Sequence, residues 1–191
     1  NDLPIKETHK LAPTNPYAQS KKEVEELCLR YHQEHSSDIV ITRSFNHTGP
    51  RQVPIFVLSD WASQVAEIEA GFRKPVIDVG NLEVRRDFLD VRDAVLAYIT
   101  LLEKGKSGEV YNVCLGRMYW LKEYLEMLTN LSDRKIEIRV DPEKVRPVDN
   151  PMYCGDNTKL KSLGWKPSIA VEDTIRDLLD YWRKTVAARK A

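Results

Sequence analysis

Asn15-Pro-Tyr-Ala-Gln-Ser-Lys21, with Asp38-Ile-Val-Ile-Thr-Arg-Ser-Phe45 after it, is the stretch that decides the fold. Asn15 suits an N-cap, and Pro16 falls at the first helical position, where its missing N–H costs nothing. The spacing predicts a helix to about Glu34, with Tyr17, Val24, Leu27, Cys28 and Tyr31 on one side. The β-branched run that follows, bounded by turn residues, reads as a buried strand. Asn46-His-Thr-Gly-Pro50 reads as a loop at that strand's C-terminal end.

The alternation continues outward from this unit. A helix is predicted from Phe56 to Ala70, ended by Gly71, then a short strand Val76–Val79 and an extended piece Arg86–Leu89. The next helix, Val91–Glu103, presents Val91, Val95, Tyr98 and Leu102 together. Glu109–Val113 reads as a strand, Gly116 as a turn, Leu121–Leu131 as a helix, and Ile136–Val140 as a strand. A short helix near Thr158–Leu163 precedes Gly164. The last helix carries Val171, Ile175, Leu178, Leu179, Trp182 and Val186 at helical spacing. Alternating helices and strands imply an α/β fold, with Val76–Val79 and Ile136–Val140 as candidates for a smaller lobe.

The 191 residues suffice for one sizeable domain or two small ones that share a core. Lys+Arg and Asp+Glu both number 29, which argues against a whole-chain electrostatic grip on nucleic acid. Arg85-Arg86 remains a candidate for a local anion site. Cys28, Cys114 and Cys154 form no CxxC pair and no metal-like cluster, a pattern that fits buried thiols in a reducing cytoplasm. No metal site is expected. No apolar run approaches the ~20 residues that span a bilayer. The N-terminal residues do not form a signal peptide.

Tyr17 and Lys21 lie four residues apart, on one face of the first helical turns. A phenol alone is a poor acid or base at neutral pH. A neighbouring ammonium and the positive helix N-terminus both stabilise a phenolate. Such a pair can pass a proton to or from a sugar hydroxyl or keto oxygen during hydride transfer. The spacing also occurs in plain surface pairs, and it is the Asn-Pro start that favours the chemical reading.

Four motifs in order, Asn15-Pro-Tyr-Ala-Gln-Ser-Lys21, Arg43-Ser-Phe-Asn-His-Thr-Gly-Pro50, Arg85-Arg-Asp-Phe-Leu-Asp-Val-Arg-Asp93 and Gly108-Glu-Val-Tyr-Asn-Val113, resemble extended short-chain dehydrogenase/reductases of the epimerase/dehydratase type acting on nucleotide sugars. Within that family the chain is most similar to GDP-6-deoxy-4-keto-mannose reductases, which make GDP-rhamnose, and to GDP-mannose 4,6-dehydratases. Epimerases share the motifs. The resemblance implies a nicotinamide cofactor, NAD or NADP, and a GDP-linked or other nucleotide-linked sugar. It implies Tyr17 as the acid/base and Lys21 as its partner, hydrogen-bonded to the nicotinamide ribose. Phe45, Asn46 and His47 would lie beside the nicotinamide, with Asn46 also on the substrate. Phe56 and Val57 would touch the nucleotide, Arg86 and Arg146 the diphosphate, and Asp149 the nucleotide's ribose. The same resemblance implies a homodimer through the Tyr helix.

Plainer roles stand beside these. His47 can cap a turn, and Asp149 can close one before Asn150-Pro151. Only one of Arg85 and Arg86 can point inward from an extended segment. Asp87, Asp90 and Asp93 are expected to cap the Val91 helix and pair with Arg92. A non-catalytic nucleotide-sugar-binding module is the rival from another class.

One departure narrows the expectation. The family holds the cofactor diphosphate with a glycine-rich βα turn, and no GxxGxxG occurs in this sequence. The chain is therefore expected to be the C-terminal portion of such an enzyme. Residues 1–53 and 85–117 would complete a Rossmann-like cofactor domain, and 54–84 and 118–191 would form the nucleotide-sugar lobe. A missing half would leave a sheet edge and apolar helix faces uncovered.

Overall fold

The computed structural model describes residues 3–145 and 150–189. Helix α1 (Pro16–His35) starts where the cap predicts, with the Asn15 side chain accepting the Ala18 N–H at 2.8 Å. Strand β1 (Ile41–Ser44) follows. Strand β2 (Asn46–Thr48) comes directly after it, where the sequence suggested a loop. Phe45 is the pivot between them, its N–H donating to the Val113 carbonyl. Because Phe45 is buried, the chain can change partners there without exposing an apolar side chain.

β1 pairs in parallel with β6 (Val110–Val113), Ile41 opposite Val110. β2 pairs in parallel with β5 (Phe88–Asp90), Asn46 opposite Phe88. A third parallel pair joins β3 (Val76–Val79) to β8 (Glu137–Val140). β4 (Arg85–Arg86) lies between β7 (Tyr119–Trp120), antiparallel, and β9 (Met152–Tyr153), parallel. Strands as short as β7 and β9 leave no period to read, and the sequence did not reveal them.

Two apolar clusters hold these pieces. In the larger, α2 (Val57–Glu69), α4 (Leu121–Thr129) and α6 (Val171–Ala187) pack over β3. Trp61, Val65, Tyr124, Leu128, Leu178 and Leu179 are at its centre, all nearly inaccessible. The smaller packs α3 (Val91–Lys104) and α5 (Thr158–Lys161) on β5 and β6 through Ala94, Ala97, Leu101, Tyr111, Leu160 and Trp165. Each fully buried aliphatic side chain contributes about 2 kcal/mol from apolar burial.

The structure decides which face of α3 is buried. Its inward face is Asp93, Ala94, Ala97 and Leu101, while Val95, Leu96, Ile99 and Leu102 face outward. The helix is apolar on both sides, so periodicity alone could not choose, and the small alanines admit the closer approach to the strands. α1 has no fully buried residue, and Val24, Leu27 and Tyr31 of its apolar stripe are exposed. It docks instead through Ala18, Glu25, Cys28, Leu29 and His32, each partly covered. Among the described residues no helix is long and apolar enough to cross a membrane.

Leu178→Ala is expected to lower the unfolding free energy by about 3 kcal/mol, the usual cost of a cavity in a packed core. Leu102→Ala, at an exposed position, should stay within about 0.5 kcal/mol of the parent. Urea melts of both variants check the contrast, and equal losses would mean that the outer face of α3 is covered in solution.

Candidate functional site

The change of partners at Phe45 sets up the site. It carries Asn46 and His47 onto the edge of β5, opposite Phe88 and Leu89. The loop from Gly49 to Phe56 then swings out to start α2. Between this loop, β3, β4 and the start of α1 lies a cleft of about 1630 Å³. Tyr17, Phe45, Asn46, His47, Phe56, Val57 and Arg86, seven of the residues singled out in the sequence, line it. Lys21 is not on its wall. Its Nζ lies 5.4 Å from the centroid of the Tyr17 ring, over the ring face. Arg146 and Asp149 lie outside the described residues.

Tyr17, in the first turn of α1, is 72% exposed, so its hydroxyl is open to a ligand. Asn46 Nδ2 donates to the Asp87 carbonyl at 3.4 Å, and His47 Nδ1 lies 3.3 Å from the Phe45 carbonyl oxygen. The two arginines separate as an extended segment requires. Arg86 lines the cleft, donating through Nη1 to the carbonyls of Arg85 and Asn150 at 2.8 and 2.7 Å. Arg85 turns away, its guanidinium 4.2 Å from the Trp120 ring centroid.

Several wall residues were not foreseen. The loop Arg51–Ile55, the β3 end from Asp78 to Asn81, and Glu143-Lys144 all contribute. So does Tyr153, which faces Arg86 across the β4–β9 register and stacks on Phe45 with ring centroids 4.8 Å apart. Burial pushes its phenol above the ordinary tyrosine range. The signal for Tyr153 in sequence was only a two-residue strand, and for Arg51 a Pro-Arg pair in a loop.

The three aspartates do not act as one cluster. Asp90 caps α3 and pairs with Arg92 through both oxygens, as expected. Burial works against its charge, but Arg92 and Thr174 outweigh it and hold the carboxyl below its ordinary value. Asp93 instead accepts from Ser168 and the Ile169 N–H, tying α3 to the start of the last helical segment. Asp87 neither caps the helix nor meets Arg92. Fully buried, it accepts the N–H groups of Leu115, Gly116 and Gly155 at 2.8, 3.0 and 3.3 Å. Gly155 makes this possible, since a Cβ there would sit 2.6 Å from Cys114 Sγ and 2.8 Å from the Phe45 ring. Desolvation pushes Asp87 up to about 6 against those three N–H groups. Burial also raises the Cys154 thiol, which lies 3.7 Å from the carboxylate, to about 11.

The cleft lies at the carboxyl ends of parallel strands β1 and β3, the place where α/β folds commonly take ligands. Comparison with known proteins specifies the family. The profile of the family described as GDP-mannose 4,6 dehydratase matches residues 1–178, and the chain belongs to that family. It is 37% identical to GDP-6-deoxy-D-mannose reductase of Pseudomonas aeruginosa, over 96% of this chain and 61% of that protein. It is 34% identical to dTDP-D-glucose 4,6-dehydratase of Mus musculus, over 96% of this chain and 52% of that one. Among solved structures, RMD from Pseudomonas aeruginosa complexed with NADPH matches with TM-score 0.91 and 36% identity, covering 96% of this chain and 61% of that one. UDP-glucose 4-epimerase from Thermotoga maritima with UDP-glucose matches with TM-score 0.87 and 27% identity, over 97% and 59%. The chain thus spans about half to three-fifths of the length of the relatives it matches. The Rossmann-like α/β fold expected from the sequence is the fold of these neighbours.

Asp87 generates a pH prediction. Its folded-state value near 6 stands above the ordinary 3.8, so the folded chain binds the extra proton between about pH 4 and 6. Stability therefore falls as pH rises through that window, by about 3 kcal/mol for a shift of about two units. The difference in unfolding free energy between the parent and Asp87→Asn should move by that amount between pH 4 and 7, against the parent, while groups common to both cancel. Parallel pH profiles would show that Asp87 does not titrate there.

Proposed function

We propose that this chain is the C-terminal part of a nicotinamide-dependent nucleotide-sugar enzyme, a reductase of GDP-4-keto-6-deoxy-mannose to GDP-rhamnose. The observation that carries the reading is the convergence of Tyr17, Asn46, His47, Phe56 and Arg86 on one cleft. Similarity to a GDP-6-deoxy-D-mannose reductase supports the choice of substrate. Tyr17 would exchange a proton with the sugar oxygen, with Lys21 beside it. Phe45, Asn46 and His47 would border the nicotinamide. Phe56 and Val57 would contact the nucleotide, and Arg86 and Arg146 would grip its diphosphate through guanidinium forks. Asp149 would take the ribose. The cofactor, NAD or NADP, would supply the hydride, and the protein's task is to position it. A 4,6-dehydratase is the second reading, favoured by the family profile itself.

In this reading residues 1–53 and 85–117 belong to the cofactor domain, and 54–84 and 118–191 to the nucleotide-sugar lobe. The outward apolar residues of α3 would meet the remaining strands and helices of the cofactor domain. The exposed stripe Val24, Leu27 and Tyr31 of α1 would serve a homodimer. Free Cys28, Cys114 and Cys154 suit a cytoplasmic setting.

The purified 191-residue chain is expected to bind GDP yet consume no NADH or NADPH with GDP-4-keto-6-deoxy-mannose, because hydride transfer needs a positioned cofactor. Supplying the glycine-rich N-terminal segment of a relative should restore reduction, with GDP-rhamnose as product. Tyr17→Phe in that complex should then lower turnover by about 10²–10⁴-fold. Undiminished turnover in Tyr17→Phe would remove the acid/base role. Absence of GDP binding at millimolar ligand would remove the nucleotide-sugar reading.

A further inference from the structure

Gly49-Pro50-Arg51-Gln52 forms a turn closed by the Gln52 N–H on the Gly49 carbonyl at 3.2 Å. Proline at the second position and a positive φ at the third describe a type II arrangement. Glycine or asparagine ordinarily fills that third position, because a side chain is strained there. Here it is an arginine at φ 75°. A strained non-glycine residue points to a role that the rest of the site supports.

The turn is held from both sides. Gln52 Oε1 accepts from Thr48 Oγ1 at 2.6 Å, and Gln52 Nε2 donates to the His47 carbonyl at 3.1 Å. The Gln52 carbonyl accepts from Ser59 Oγ at 2.6 Å. Ser59, fully buried, accepts in turn from Trp182 Nε1 at 3.0 Å. A surface loop is thereby pinned to β2, α2 and α6, and the strained residue cannot relax without breaking this set.

Arg51 lines the cleft. It makes no hydrogen bond or ion pair with any described residue, unlike Arg86 on the same walls. Of the three acids on the wall, Asp60 is engaged with Gln64 and Asp78 with Arg139, and Glu143 forms no ion pair with Arg51. An exposed cation set beside apolar Val53, Ile55 and Phe56 suits an anionic group on an otherwise flat, apolar ligand.

We propose that Arg51 is a phosphate-binding residue of this cleft, held at a glycine position of the turn by Pro50 and the Gln52 hydrogen bonds so that its guanidinium faces the nucleotide. The proposal rests on the nucleotide-sugar reading above. The phosphates are those of the sugar nucleotide or of the dinucleotide cofactor, and the two are separable. Calorimetry with GDP and with NADP+ is run on the parent chain, Arg51→Gly and Arg51→Lys. Arg51→Gly puts the turn's ordinary residue in place, so its melting temperature should equal or exceed the parent's. Its affinity for the phosphate-bearing ligand should fall about tenfold or more, with Arg51→Lys between the two because it keeps charge but loses the fork. A loss confined to GDP assigns the sugar nucleotide, and one confined to NADP+ assigns the cofactor. Parent binding that survives Arg51→Gly unchanged overturns this proposal alone. A parent chain that binds neither ligand overturns it together with the nucleotide-sugar reading.

Discussion

The cleft depends on one buried carboxylate. From its place just ahead of β5, Asp87 reaches two other segments, the turn after β6 and the turn after β9, and satisfies three backbone N–H groups at once. Without the carboxylate, their N–H groups would be buried unpaired, at about 1–3 kcal/mol each. The arrangement is costly because burial strips water from Asp87 and no cation among the described residues pairs with it, and its raised proton affinity reports that cost. What it secures is register: with Gly155 pressed on Cys114 and Phe45, β9 is fixed beside β4, and Tyr153 and Arg86 face each other as neighbours. A hydrophobic plug would hold these turns together but would not pair their backbone groups.

A second polar chain does for the opposite wall what Asp87 does for the floor. The loop after β2 has little regular structure, yet Gln52 joins it to β2 and, through Ser59 and Trp182, to the interior of the three-helix core. Trp182 thus has two duties. Its ring fills the apolar core, and its indole N–H ends the hydrogen-bond chain that starts at the cleft. Packing in the core and shape at the site are coupled through this one group.

Much of the fold was legible in sequence because its long elements carry their own signals. The Asn15-Pro16 start, the apolar spacing of α6 and the β-branched run of β1 each follow from local chemistry. The cleft residues Tyr17, Asn46, His47 and Arg86 were legible because motifs mark them. What escaped was set by tertiary context. Asn46–Thr48 is a strand because β5 lies beside it, since one β-branched Thr after Asn-His is too weak a local signal to predict one. The inward face of α3 could not be chosen from sequence because both faces are apolar, and only the packed partner distinguishes Ala97 from Leu102. Asp87 was read as a helix cap because carboxylates near a helix start usually are. Its true partners lie about 28 and 68 residues away, beyond any local pattern.

The placement of Tyr17 follows from the same polar logic, since α1 buries no residue completely. A helix with little apolar docking should be oriented by few contacts, and here they can be named. Glu25 and Arg43 form a bidentate pair at 2.9 and 2.7 Å, and Arg43 also donates to the Glu7 carbonyl at 2.7 Å. Glu7 in turn accepts the Asn112 N–H, so the segment ahead of α1 is tied to β6. Near the far end, His32 packs on Gly108, where a Cβ would approach its ring to 2.6 Å. The Arg43 guanidinium, drawn up by the Glu25 carboxylate against the cost of burial, stays charged at any physiological pH. The helix carrying Tyr17 is therefore held by a fork of fixed geometry on β1, the same strand that leads into Phe45, Asn46 and His47. Tyr17 and the cleft residues Phe45, Asn46 and His47 thus share one rigid support, and the proton transfer proposed above would need such fixed geometry.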